Sequence, residues 1–135
     1  TESIAELERL EGPPRHPRHA LVPFIARMYE AMEAASLVVG RSGASTCAEL
    51  KAAGRGAILI PLPTSANDHQ RRNAQAQAAE GRAQVLEQGA HLVSRLEGAL
   101  RPLLDDPSAR QALSGEPEPN RAVQLCLEDL QSCLG

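Results

Sequence analysis

Short apolar runs alternate with helical patterns along most of this chain, and that alternation constrains the fold more than any other feature. Ala57-Ile58-Leu59-Ile60-Pro61 is the clearest run. It is apolar throughout, the mark of a buried strand. Leu37 to Gly40 is a second, short and β-branched, as expected of a strand covered on both faces. Ala83 to Leu86 is a third. Ala20 to Phe24 is a fourth, in which Pro23 pushes the strand to a sheet edge or to a strand end. Between them lie helical stretches. Ala26 to Ala35 puts Met28, Met32 and Ala35 on one face. Thr46 to Ala53 ends at Gly54, and an Ala/Gln series capped by Asn67 or Asp68 runs to about Glu80 and ends at Gly81. Strand and helix in strict alternation mean an α/β fold with a parallel sheet of about four strands and right-handed crossovers.

The flanks are different. Thr1 to Glu11 carries Ile4, Leu7 and Leu10 among acids, a weak amphipathic pattern, and three prolines between Gly12 and His19 forbid a regular element there. Residues 1–19 therefore read as a flexible segment or linker, and 20–114 as the folded domain. From His91 onward the pattern is helical, with a stripe of Leu92, Leu96, Leu100 and Leu103/Leu104, then a short helix from Asp106-Pro107 to Leu113. Ser114 to Pro119 is a loop. Val123, Leu127, Leu130 and Leu134 give residues 115–135 a final amphipathic helix.

Composition narrows the function classes. The chain has 135 residues, 42% of them hydrophobic, but its aromatics are only Phe24 and Tyr29 and it is rich in Ala. Its core is therefore low in bulk and modest in stability. A net charge of −3 with one lysine gives no electrostatic footprint for nucleic acid. No stretch is apolar enough to span a membrane, and no secretory signal is visible. Cys47, Cys126 and Cys133 are too few for a disulfide framework, and the last two lie about 10 Å apart along a helix, too far to bridge. A reducing, cytoplasmic compartment fits this usage. His16 and His19 lack further ligands nearby, so no metal site and no cofactor is expected.

In a parallel α/β sheet, ligands bind beyond the carboxyl ends of the strands. Polar residues collect there. After Val39 come Gly40, Ser42, Gly43, Ser45, Thr46 and Glu49; after Pro61 come Asn67, Asp68, His69, Gln70 and Asn73. Gly40 and Gly43 let a ligand approach the backbone closely. Ser42, Ser45 and Thr46 add hydroxyls at a helix start, where unpaired N–H groups and the positive dipole end suit a phosphate. Glu49, one turn in, can accept from a sugar diol; equally, Thr46-x-x-Glu49 matches a capping box, in which Glu49 only folds back on the helix start. Gln70 and Asn73 share one helix face and can both reach one sugar, or simply lie in solvent. A serine hydrolase is disfavoured: Gly40-Arg41-Ser42-Gly43-Ala44 lacks the final glycine of a nucleophile elbow. No Gly-x-Gly-x-x-Gly follows a strand and no Walker loop is present.

Taken together, Val22-Pro23-Phe24-Ile25, Ser36-Leu37-Val38-Val39, Arg41-Ser42-Gly43-Ala44-Ser45-Thr46 with Glu49, Ala52-Ala53-Gly54, Ile60-Pro61, Asp68-His69-Gln70 and Asn73-Ala74 resemble the MurG glycosyltransferases in order and spacing. These enzymes transfer N-acetylglucosamine from UDP-GlcNAc to a lipid-linked muramyl-pentapeptide in peptidoglycan synthesis. Their fold is GT-B, two Rossmann-like domains with the substrates in the cleft. The resemblance covers about Leu21 to Leu104 and implies the second half of the donor-binding C-terminal domain, a partial Rossmann-like sheet. It implies that Ile25 meets uracil through its backbone. It gives Ala44, Ser45 and Thr46 the diphosphate, with Ser42 and Gly43 in the same loop. Glu49 would take the ribose hydroxyls, and Gln70 with Asn73 the GlcNAc hydroxyls.

There are departures. Arg55-Gly56 stands where the family usually has a Leu-Pro pair, and Gly12 to His19 has no counterpart. The family's acceptor domain, and with it the proposed catalytic base, has no counterpart in these residues. Neither has the first strand of the C-terminal domain, which leaves the Ala20–Phe24 strand either to close up against Leu37–Gly40 or to hang at the edge. The expectation is a donor-binding piece of a UDP-GlcNAc transferase whose lipid-linked acceptor is held by another domain or subunit, peripheral on the inner face of the plasma membrane. The rivals are a non-catalytic nucleotide-sugar binding module or remnant, and an α/β domain in which Glu49 and Gln70 only cap helices.

Overall fold

A computed structural model describes residues 18–63 and 68–118. The readings of residues 1–17 and of the Val123–Leu134 helix, with Cys126 and Cys133, lie outside the described residues, as does Asn67. The elements are α1 (Met28–Ala34), β1 (Val38–Gly40), α2 (Ala44–Ala53), β2 (Ala57–Leu59), α3 (His69–Ala79), β3 (Ala83–Val85), α4 (Leu92–Asp105) and α5 (Pro107–Leu113).

The described strands form one sheet in the order β1-β2-β3. Both pairings are parallel, with Val38 opposite Ala57 and Ala57 opposite Ala83. Single backbone bonds carry the ladder beyond the strand ends: Ile60 N–H donates to Gly40 O at 2.8 Å and Leu86 N–H to Leu59 O at 2.9 Å. The central strand is buried along its length. Ala57 and Leu59 join Met32, Cys47, Leu50, Ala53, Ala74 and Ala83 in one cluster between the sheet and helices α1 to α3. Ile58, also fully buried, is not in that cluster, as period-2 alternation requires. The small side chains of this core let the helices sit close to the sheet.

The sheet has three strands rather than about four. Residues 20–24 make no ladder. Pro23 removes a donor from the middle of the run, and a lone strand has no backbone bonds of its own. Val22 and Phe24 are accordingly exposed, Phe24 at 79%. The segment neither closes against β1 nor forms an edge strand, and β1 keeps one side free among the described strands.

Helix boundaries follow the glycines and one aspartate. Gly54 ends α2 in the left-handed region at φ 64°, and its N–H reaches back to Leu50 and Lys51 carbonyls. Asp106 accepts from Ser108 N–H at 2.8 Å and caps α5, with Pro107 at the first helical position. Asp68, expected as a cap, makes no capping bond; it sits in the left-handed region at φ 58° and its carboxylate lies 3.4 Å from Arg71. Arg55-Gly56 has a structural role. Arg55 donates to the Glu33 carbonyl at the end of α1, and a Cβ on Gly56 would stand 2.6 Å from that of Leu113.

Candidate functional site

The site is built on the turn from β1 into α2. The helix begins at Ala44, two residues earlier than the spacing predicts, with Gly43 as its N-cap. The first intrahelical bond of the turn is Cys47 N–H to Gly43 O at 3.0 Å. The amides of Ala44, Ser45 and Thr46 therefore have no acceptor within the helix. A glycine cap has no side chain to satisfy them, and no capping bond is made. A Cβ at Gly43 would meet nothing within 4 Å, so there is open space in front of these donors. This is the arrangement that suits an anion.

The capping-box alternative fails on this geometry. Thr46 is already the third helical residue, so Glu49 lies well inside the helix and cannot fold back on its cap. Glu49 has no hydrogen-bond or ion-pair partner among the described residues. It lies on the same face as Ser45 and Thr46, at the i,i+4 and i,i+3 spacings. All three line a cavity of about 550 Å³ whose other walls include Ile25, Gly40 and Arg41. That volume falls within the range usual for small-molecule sites, roughly 300–1,000 Å³. Phe24, Met28 and Val39 make part of it apolar.

The remaining expected residues sit beside the cavity and are tied to one another. Ser42 is wholly buried. Its hydroxyl donates to the Gln70 carbonyl at 2.7 Å. Asn73 Nδ2 donates to the Ser42 carbonyl at 3.0 Å. Gln70 Oε1 accepts from Leu62 N–H at 3.0 Å. Thus Ile25, Ser45, Thr46 and Glu49 are brought to one cavity, Gly43 and Ala44 form the turn that opens α2, and Ser42, Gln70 and Asn73 link that turn to the start of α3.

Two residues outside the expected set fasten the segments around the turn. Arg41 Nη1 donates to Ile60 O at 3.1 Å and to Pro61 O at 3.4 Å, joining the carboxyl ends of β1 and β2 beside the free amides. Arg71 binds Glu87 through Nε and Nη2, at 3.0 and 3.1 Å, and so ties α3 to the segment after β3. The hydrogen bond to Glu87 and the charge of Asp68 raise the Arg71 pKa further. Arg41 was within the motif but carries no local signal for a bond to a carbonyl so distant in sequence. Behind the turn, burial pushes the pKa of the Cys47 thiol up.

Comparison with known proteins decides the family. The family pattern described as "Glycosyltransferase family 28 C-terminal domain" matches residues 4–125. The chain belongs to that family. It is 51% identical over 112 residues, 83% of its length, to a UDP-N-acetylglucosamine–N-acetylmuramyl-(pentapeptide) pyrophosphoryl-undecaprenol N-acetylglucosamine transferase of Xylella fastidiosa strain M12. It is 46% identical over 92 residues to the transferase of the same name from Xanthomonas campestris pv. campestris. The crystal structure of Acinetobacter baumannii MurG superposes with a TM-score of 0.58 at 29% identity, over 70% of this chain and 27% of that one. The chain spans less than a third of the length of these relatives, 29% of the Xylella protein. The resemblance read from the separated motifs is thus a family membership, and the α/β fold is that of the MurG structure.

Proposed function

We propose that this chain forms the donor-binding part of a UDP-GlcNAc transferase acting on a lipid-linked muramyl-peptide in peptidoglycan synthesis. The observation that carries the reading is the joint placement of free amides and a free carboxylate. Ala44, Ser45 and Thr46 present N–H groups, and Glu49 on the same helix face lines the same cavity. Amides at a helix start bind the diphosphate, and the Glu49 carboxylate accepts from the ribose hydroxyls. Ile25, across the cavity, offers its backbone to the uracil. Gln70, at the start of α3, offers its side-chain amide to the sugar, and Asn73 holds the Ser42 carbonyl behind the turn. The Xylella and Xanthomonas relatives are named for the same donor and acceptor.

The chemistry of the turn follows from what leaves. Breaking the bond from the sugar to UDP builds negative charge on the diphosphate. Fixed N–H donors and a helix dipole stabilise that charge without reorganising. The acceptor is held by a part of the enzyme, or a separate subunit, that these residues do not supply. The reading places the protein on the inner face of the plasma membrane by association; no helix among the described residues is long and apolar enough to cross one.

Calorimetric titration with UDP-GlcNAc tests the reading. Glu49→Ala and Gln70→Ala are each expected to weaken binding. Equal binding in all three proteins would remove Glu49 and Gln70 from the site. No binding to the parent chain would leave an α/β domain without a donor site. A transfer assay with an acceptor-domain partner separates an enzyme half from a non-catalytic module.

A further inference from the structure

Three long-range bonds close on the residue that precedes the helix cap. The Ser42 hydroxyl donates to the Gln70 carbonyl, Asn73 Nδ2 donates to the Ser42 carbonyl, and Leu62 N–H donates to Gln70 Oε1. The first two span 28 and 31 residues of sequence, so they join separate elements and cap neither helix locally. Ser42 is wholly buried, so its hydroxyl faces protein and not the cavity.

We infer that Ser42 and Asn73 are positioning residues that set the spacing between the diphosphate amides of α2 and the sugar-facing amide of Gln70. This rests on the donor-site reading. The Ser42 carbonyl and the Gly43 N–H belong to one planar trans peptide unit and point in opposite directions. Holding the carbonyl with Asn73 therefore fixes the direction of the Gly43 N–H and the entry of the chain into α2. The Ser42 hydroxyl fixes the other side by gripping the first turn of α3. The two loops then form one unit, and a ligand that bridges them meets donors already at their working separation, with less ordering left to do on binding. Asn73 thus acts through the backbone of the turn.

Gln70 acquires a direction from the same clasp. With Oε1 held by a backbone N–H, its Nε2 remains as the group to offer a ligand, and that group only donates. It therefore selects a sugar position bearing an acceptor oxygen, a hydroxyl or an acetamido carbonyl.

Titration of the full chain with UDP and, separately, with UDP-GlcNAc tests this at a temperature where every variant is folded by circular dichroism. Asn73→Ala and Ser42→Ala are each expected to weaken both ligands by one common factor, on the order of fivefold for a lost hydrogen bond. The double variant should be little weaker than the worse single one, since the two bonds act as a unit. Asn73→Leu, similar in size, uncharged and unable to donate, should behave like Asn73→Ala and serves if the alanine variants do not fold. Gln70→Glu, which still accepts from Leu62 but has no donor, should lose the contribution of the sugar, so that UDP-GlcNAc binds that variant no more tightly than UDP does. If Asn73→Ala leaves UDP affinity unchanged and weakens only UDP-GlcNAc, Asn73 reads the sugar directly and the inference is overturned. A lower melting temperature with both dissociation constants unchanged also overturns it, because the clasp would then be structural alone. If the parent chain binds neither ligand, the donor-site reading itself fails and the inference goes with it.

Discussion

The two ends of the sheet are built on opposite principles. At the carboxyl end, backbone donors are left free, Glu49 has no partner among the described residues, and Gly43 faces open space. At the amino end most charged groups are engaged, although Arg55 Nε is buried without a partner. Lys51 bridges Glu80 at 3.0 Å and Glu118 at 3.4 Å. Arg82, only 12% exposed, reaches Glu118 at 2.6 Å and the Glu116 carbonyl at 3.3 Å. Glu118 N–H donates to the Lys51 carbonyl. A Cβ at Gly54 would stand 2.5 Å from Gly115 O and 2.9 Å from Pro117 N. The segment 115–118 thus straps the base of the fold, while the top keeps unsatisfied groups that only a ligand or water can satisfy. On the donor-site reading, stability and binding fall at separate ends, so they can be perturbed separately.

The sharpest way to break this separation is Gly54→Ala. A side chain there must hold φ 64° and also displace the strap backbone. Left-handed strain and overpacking together are expected to cost about 3 kcal/mol, measured as a shift in the urea midpoint. UDP affinity of the folded fraction should not change. Glu49→Ala is the reverse experiment. Loss of a carboxylate–hydroxyl bond is expected to weaken UDP by about tenfold, while removal of an unpartnered carboxylate leaves the urea midpoint within about 0.5 kcal/mol. Gly43→Ala should act in the same direction, since its methyl group enters the space before the free amides and touches no protein atom within 4 Å.

Smaller effects come from the charges of the strap. Glu118→Ala removes pairs to Lys51 and Arg82 at a site where the glutamate is half exposed, and should cost no more than about 1 kcal/mol. The pH dependence has a definite sign. The bond to Glu80 raises the Lys51 pKa. Its contribution is therefore present at neutral pH, below the unfolded lysine value, and is lost as pH rises through the folded one. Cys47, raised by burial, acts in the same direction, because unfolding releases its proton first. The urea midpoint should therefore fall on the alkaline side, and fall less in Lys51→Met. UDP affinity should track neither change.

The central strand and the helix stops were more legible in the sequence than the sheet edge. Short strands and glycine stops leave local marks, and Ala57–Leu59 and Gly54 fall where those marks predict. Ala20–Phe24 carries the same apolar mark without becoming a strand, because pairing depends on a neighbour and not on the run itself. Helix α2 was expected to open at Thr46 because serine and threonine are good caps; the structure uses Gly43, which leaves the donors bare. Ser42 looked like a ligand group by composition, and only its burial and its bond to Gln70 show that its hydroxyl is committed. Arg41, Arg71 and the strap pair across long sequence separations, which no local pattern encodes.

Backbone amide NMR of the labelled chain, titrated with UDP, tests the central account most directly. The account predicts shifts concentrated at Gly43, Ala44, Ser45, Thr46 and Glu49, with Gly54, Arg82 and Glu118 unmoved. Shifts gathered instead along the outer face of α4, at Val93 and Leu100, with the Gly43–Thr46 amides silent, would contradict it.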